Sequence, residues 1–134
     1  HIIFNMFWLY DLGSLIENRR GTRYFVAFIL LAAIISNIAQ YCVSGPSFGG
    51  MSGVVYGLFG YAWMKGKFDP GDGIEMNPST VFIMLGWFVF CFFTGVPDGS
   101  GNLIPVANWA HTGGLVVGTL WGYASAMRWT GNRG

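Results

Sequence analysis

Charged residues are scarce in this sequence: Asp, Glu, Lys and Arg together make up 10% of its 134 residues. Soluble proteins carry roughly 25% of such residues, which they need to cover a surface that faces water. Hydrophobic residues, by contrast, make up 53% of the chain. This composition excludes an ordinary soluble domain and indicates a membrane protein, whose lipid-facing surface is apolar. The length predicts one domain, residues 1–134.

Cysteine and basic clusters are also sparse. The two cysteines, Cys42 and Cys91, lie in apolar stretches and lack CxxC spacing. We interpret them as small hydrophobic residues. A net charge of +1 and the lack of an aromatic–basic patch give no reason to expect nucleic acid as a partner. The chain opens on His1 without a Met or a basic n-region, so we expect an excerpt of a longer protein and not a signal peptide.

Apolar segments predict the fold class. They cover residues 2–16, 24–43, 52–64, 79–96 and 107–127. About 20 apolar residues span a bilayer core, so the second, fourth and fifth segments fit well. The first is interpreted as cut short at its N-terminus, and the third is too short on its own. The pattern predicts an all-α, polytopic transmembrane helix bundle.

Basic residues lie at alternate ends of these segments and predict the topology. Connections 44–51 and 97–106 contain no Lys or Arg. Under the positive-inside rule, the basic ends and the C-terminus face the cytoplasm, and the two connections without basic residues face outward. The basic residues are Arg19, Arg20, Arg23, Lys65, Lys67, Arg128 and Arg133.

The short third segment places a serine at membrane depth. A helix over 52–64 rises about 20 Å, whereas the hydrocarbon core is about 30 Å thick. If Lys65 and Lys67 hold its C-terminus at the cytoplasmic edge, Ser52 begins the helix below the outer boundary. The preceding residues 44–50 are rich in Gly and Pro, and irregular backbone at this depth must be buried in protein or line a water-filled cavity. We therefore expect Ser52 in a submerged, wet pocket; the alternative is a plain helix N-cap.

A histidine in the fifth segment is the expected partner of this serine. Ionisable residues within a membrane span are costly and indicate function. Because a serine hydroxyl needs an adjacent base to become a good nucleophile, His111 is the candidate base for Ser52. The alternative is a hydrogen-bonded histidine between helices.

Small residues predict how the two helices meet. A glycine every four positions lets transmembrane backbones approach closely. Packing these glycines together brings Ser52 and His111 to the same depth, and places Tyr56, one turn beyond Ser52, against the imidazole. The glycines are Gly53 and Gly57 on the third helix and Gly114 and Gly118 on the fifth.

Polar residues of the first segment supply candidate oxyanion donors. His1 and Asn5 are four positions apart and share one helix face. An imidazole N–H, a carboxamide N–H and the free amides of a helix N-terminus are donors suited to a developing oxyanion. A metal site at His1, Asn5 and His111 is disfavoured because no carboxylate or cysteine completes a ligand set. No cofactor is predicted.

Three motifs together resemble those of the rhomboid family of intramembrane serine proteases, in particular its bacterial GlpG type. They are His1-xxx-Asn5, Gly50-Met51-Ser52-Gly53 followed by Tyr56, and Ala110-His111 running into Gly114 and Gly118. The similarity covers essentially the whole chain. It implies an intramembrane serine endopeptidase that cleaves transmembrane segments of other membrane proteins.

The resemblance also implies roles for particular residues. Ser52 would be the nucleophile and His111 the general base, a dyad without an acidic third member. His1, Asn5 and the backbone amide of Ser52, with Gly50 nearby, would form the oxyanion site. In addition, Tyr56 would stack on His111.

The implied setting is a bacterial inner membrane. The protein would be multi-pass, with its active site opening to the periplasmic or extracellular side and with its fourth segment as a lateral gate. Its expected partners are transmembrane protein substrates and the lipid bilayer; the oligomeric state stays open. The family core has six helices, of which five are present, and the first helix and the loop after it are missing from this sequence.

Two alternatives compete with a protease. A catalytically silent rhomboid-like protein would bind transmembrane helices without cutting them, but it would lack the serine or the histidine, and this chain has both. A small transporter built from broken helices would show internal repeats and a charged path. The sequence shows neither.

Overall fold

The fold is a bundle of helices. The computed structural model describes residues 2–44, 52–74, 76–94, 96–97, 100, 103–104 and 108–133. Within these residues the α-helices are α1 (Ile2–Arg20), α2 (Thr22–Ser44), α3 (Ser52–Phe68), α4 (Pro78–Thr94) and α5 (Asn108–Arg133). Each predicted apolar segment corresponds to one of them, which confirms the all-α helical bundle.

Short elements join the helices. A 3-10 turn, Pro70–Asp72, follows α3, and two-residue strands β1 (Val96–Pro97) and β2 (Leu103–Ile104) pair antiparallel between α4 and α5. The sequence did not predict these strands. Between α1 and α2, Gly21 has a φ of 89° and its amide donates to the Glu17 carbonyl at 2.7 Å. Glycine adopts this left-handed conformation readily, so it ends α1 and turns the chain directly into α2.

Helix α3 lies at the centre of the bundle. Residues 53–62 are all buried, and the helix packs most extensively on α5, with further contacts to α1 and α2. A helix that is apolar on every side, as α3 is over these residues, is typical of a buried position. The core therefore forms around the helix that begins with Ser52.

The outer helices expose apolar side chains. Ile3 on α1, Leu30 on α2 and Phe82 on α4 are among the exposed large hydrophobic residues. In the part of the chain that the structure describes, one stretch, Thr22–Cys42, is long and apolar enough by itself to cross a bilayer, and Pro78–Phe90 is a shorter apolar helix. The exposed apolar belt is what a lipid-facing surface requires.

The sequence prediction for the end of α3 was wrong. The helix continues four residues beyond Met64 to Phe68 and so has 17 residues, a length of about 26 Å and not 20 Å. Lys65 is 0% exposed and lies between two carboxylates, so its charge is satisfied within the protein. Even so, α3 remains shorter than a hydrocarbon core of about 30 Å.

An ion-pair cluster lies at the end of the bundle where α3 ends. The ammonium of Lys65 lies 2.9 Å from Asp69 Oδ2 and 3.2 Å from Asp72 Oδ2. Arg20 also pairs with the Asp72 carboxylate, and Arg19 donates to the Asp72 backbone carbonyl. Buried charges require such partners, and the cluster joins the ends of α1 and α3 to the 3-10 turn.

Candidate active site

The start of α5 is held by a side chain of α2. Gln40 is buried, and its Oε1 accepts hydrogen bonds from the amides of Trp109 and Ala110 at 3.0 and 3.1 Å. The first amides of a helix have no partner within the helix, so this carboxamide caps α5 immediately before His111. Sequence analysis missed Gln40; its one signal was a polar residue inside an apolar segment.

Glycines bring the backbones of α3 and α5 into contact. A β-carbon at Gly53 would lie 2.9 Å from the Ala110 carbonyl oxygen, and one at Gly57 would lie 3.4 Å from that of Gly114. In the other direction, a β-carbon at Gly114 or Gly118 would overlap the carbonyl of Gly53 or Gly57. The structure thus brings together the four glycines that the sequence placed on facing seams.

The register of this contact makes the two helices parallel and aligns their first turns. Gly53 meets Ala110, and further along both helices Gly122 would meet the backbone of Tyr61. Ser52 immediately precedes Gly53 and begins α3, and His111 immediately follows Ala110. The side chain of Ser52 lies outside the described part of the structure. The backbones that carry the two residues are nevertheless adjacent.

His111 is buried without a polar partner among the described residues. It is 2% exposed, and neither ring nitrogen has a hydrogen-bond partner in that part of the chain. Its ring lies against that of Tyr56, with centroids 4.9 Å apart and planes inclined by 36°. A buried polar group without a hydrogen bond is costly, and an unsatisfied one in a native protein calls for an explanation such as a catalytic role.

The expected oxyanion donors are only partly described. Asn5 is 7% exposed on α1, so its carboxamide lies inside the bundle. His1 and Gly50 lie outside the described residues. Among the residues that the structure describes, no group of three or more His, Cys, Asp or Glu side chains is placed to hold a metal ion.

Comparison with known proteins identifies the family. Residues 1–128 match the Rhomboid domain model. Over 127 residues, 95% of the chain, it is 39% identical to the Rhomboid protease GlpG of Enterobacter sp. (strain 638). It is 37% identical over the same length to that of Salmonella paratyphi A. The chain spans 44% of the length of each of these relatives. These matches support a membrane location, in agreement with the exposed apolar belt. The chain belongs to the rhomboid family.

Proposed function

We propose that the chain is the catalytic core of an intramembrane serine endopeptidase in which Ser52 is the nucleophile and His111 the general base. The relatives carry the name of a protease, and the chain retains both residue types at adjacent helix starts. The observation that carries the proposal is the buried imidazole of His111, unpartnered among the described residues, beside the backbone contact of Gly53 and Ala110.

The chemistry follows from a two-residue site. The Ser52 hydroxyl attacks a peptide carbonyl while His111 takes its proton, and the resulting imidazolium then protonates the departing amine. Water, activated by the same histidine, hydrolyses the acyl-enzyme and releases the second product. Burial favours the step, because fixed dipoles act more strongly in a site of low dielectric constant than in bulk water.

The developing oxyanion needs donors, which we assign to His1, Asn5 and the free backbone amide of Ser52, with Gly50 beside it. A helix N-terminus presents amides without partners, and α3 begins at Ser52. The burial of Asn5 supports its part in this set. Tyr56 acts as a positioning residue through its ring contact with His111.

The substrates we propose are transmembrane segments of other membrane proteins, entering past α4. The backbone of α4 comes close to its neighbours at fewer places than the backbones of α2, α3 and α5 do. In addition, α4 exposes Phe82, Phe90 and Phe93. A loosely held apolar helix suits a gate that opens sideways into lipid. The basic residues at the opposite end favour an active site that faces the periplasmic or extracellular side of a bacterial inner membrane.

A fluorophosphonate probe tests the proposal directly. The full-length protein in detergent should be labelled, and labelling should disappear in Ser52→Ala and fall at least a hundredfold in His111→Ala, as expected for loss of a general base. Ser14→Ala is the matched control and should be labelled like the parent. Ser14 is a half-buried serine on α1, whereas Ser52 and His111 lie on α3 and α5. Circular dichroism and thermal unfolding would verify that each variant is folded.

The outcomes separate the candidate functions. Labelling that persists in Ser52→Ala contradicts the assignment of the nucleophile. A folded parent protein that neither reacts with the probe nor cleaves a model transmembrane substrate favours the silent rhomboid-like protein. Probe reactivity together with cleavage that needs both Ser52 and His111 supports the protease.

A further inference from the structure

A groove opens between α2 and α5 at the end of the bundle opposite the candidate active site. It has a volume of about 420 Å³ and is lined by Tyr24, Trp121, Ala124, Ser125 and Arg128. Tyr24 lies in the first turn of α2, whereas the residue that caps α5 beside His111 lies in the last turns of the same helix. The proposed proteolysis therefore makes no use of this groove.

A chain of hydrogen bonds joins three residues that line the groove, Tyr24, Trp121 and Ser125. The Trp121 indole donates to the Tyr24 hydroxyl at 2.9 Å, and that hydroxyl lies 3.0 Å from the Tyr61 hydroxyl. Tyr61 lies 3.3 Å from Ser125 Oγ. An indole N–H only donates, so the Tyr24 oxygen accepts that bond, whereas either oxygen can be the donor in each of the two contacts between hydroxyls.

Ser125 has hydrogen-bonding capacity beyond this chain. A hydroxyl has one donor and two acceptor positions, and the contact of Ser125 with Tyr61 uses one of these three. Ser125 is itself 6% exposed and therefore largely shielded from bulk solvent. A buried hydroxyl of this kind faces a cavity that it lines.

The rim of the groove carries a cation. Arg128 is exposed and forms no ion pair with the described residues, unlike Arg20, which is paired with Asp72. None of the described residues that line the groove is acidic. Ser125 and Arg128 are three positions apart on α5, so they lie on neighbouring parts of one helix face. A guanidinium beside a hydroxyl that can form a further hydrogen bond is suited to phosphate oxygens.

We propose that this groove binds the phosphodiester headgroup of an anionic glycerophospholipid. Arg128 and Ser125 would donate to its phosphate oxygens, and an acyl chain would run along α5 beside Ala124 and Trp121. Trp and Tyr side chains are typical of the headgroup level of a membrane. Basic pockets between transmembrane helices on the cytoplasmic side are suited to anionic headgroups, and the positive-inside rule places this end there.

A second groove provides an internal comparison. It has a volume of about 380 Å³ and is lined by Trp63, Lys67, Met76 and Val81, among others. It too combines an indole with a cation at the same end of the bundle. However, the Lys67 ammonium lies over the Phe68 ring, 5.6 Å from its centroid, and so is already engaged. Lys67→Ala therefore removes an equal charge without touching the proposed site.

Native mass spectrometry of the full-length protein, titrated with phosphatidylglycerol, tests the proposal. The parent should retain phosphatidylglycerol in preference to phosphatidylcholine. Arg128→Ala should weaken this binding roughly fivefold, the share expected of one basic side chain at an anionic lipid. Lys67→Ala should bind as the parent does, and Ser125→Ala should lie between the two. Thermal unfolding without lipid would identify any variant that is not folded.

Three results would overturn the proposal. The first is unchanged affinity in Arg128→Ala. The second is an equal loss in Lys67→Ala, which would indicate a diffuse surface charge and not a site. The third is displacement of the lipid by inorganic phosphate at equal concentration, which would indicate a phosphate site without lipid specificity. Because the readout is lipid adducts, each result is independent of proteolysis.

Discussion

The ring of Tyr56 lies against that of His111, with centroids 4.9 Å apart. The hydroxyl of the same tyrosine donates to the backbone carbonyl of Met84 at 3.0 Å. One side chain therefore connects α3, on which it lies, with the candidate base on α5 and with α4. A movement of α4 would therefore shift this tyrosine and, with it, the position of the imidazole.

Tyr56→Phe should separate the ring contact from the hydrogen bond. The variant keeps the aromatic surface beside His111 but loses the bond to Met84, which contributes about 1 kcal/mol. We expect kcat on a model transmembrane substrate to fall about fivefold, with KM little changed, because 1.4 kcal/mol corresponds to a factor of ten. Tyr10→Phe, on the exposed face of α1, is the control and should leave kcat unchanged. Equal kcat in Tyr56→Phe and the parent would show that the bond to α4 does not position the base.

Gly114→Ala should disturb the contact between α3 and α5. Its methyl group would overlap the backbone carbonyl of Gly53, and a backbone atom cannot rotate away as a side chain can. Overpacking of this kind costs about 1–3 kcal/mol. We therefore expect lower thermal stability and loss of fluorophosphonate labelling, because the helix starts that carry Ser52 and His111 would separate.

Gly86→Ala is the matched control for this substitution. It too replaces a helical glycine, but a β-carbon there would have no atom within 4 Å among the described residues outside its own stretch of helix backbone. Alanine in an open helical position stabilises by about 0.5–1 kcal/mol relative to glycine. Normal labelling in Gly114→Ala, or equal effects of the two changes on the unfolding temperature, would contradict the close-contact argument.

Local patterns were sufficient to predict the helices and their principal contact. Apolar segments predicted all five helices, since runs of such residues have few other solutions in a membrane. The four-residue spacing of Gly53, Gly57, Gly114 and Gly118 predicted which faces meet. Both signals are contained within single helices, so no long-range information was needed.

Contacts between distant residues could not be predicted in the same way. Lys65 was expected at the membrane edge, but Asp69 and Asp72 satisfy its charge within the protein, so α3 continues past it. The hydrogen bond that the Ala110 amide donates to Gln40 joins residues 70 positions apart. The Lys65–Asp69 pair has the i, i+4 spacing of a local pair, which the sequence does contain. The Gln40 contact leaves no periodic trace, because it depends on how helices are arranged in space.

Gln40→Leu should loosen the start of α5. The substitution preserves side-chain volume approximately but leaves the amides of Trp109 and Ala110 without their acceptor, at a cost of about 1–3 kcal/mol. We expect slower labelling of Ser52, with His111 less well placed, and a lower unfolding temperature. Gln40→Glu keeps an acceptor oxygen beside the positive end of a helix and should recover part of the labelling rate. Labelling as fast as in the parent for Gln40→Leu would show that the cap does not position the base.

Lys65→Met tests whether the ion-pair cluster serves stability and not catalysis. Lys65 lies between the carboxylates of Asp69 and Asp72, so its removal takes away the cation between two buried carboxylates, of which Asp72 keeps its pair with Arg20. Breaking a buried pair in this way costs about 3–5 kcal/mol. The double variant Lys65→Met with Asp69→Leu should recover part of that loss in thermal unfolding, since the two changes remove both members of one pair.

Lys65 follows Ser52 by 13 residues, about 20 Å along α3, so the fraction of either variant that remains folded should react with the probe at the parental rate. A double variant less stable than Lys65→Met would show that Asp69 stabilises the fold through partners other than Lys65.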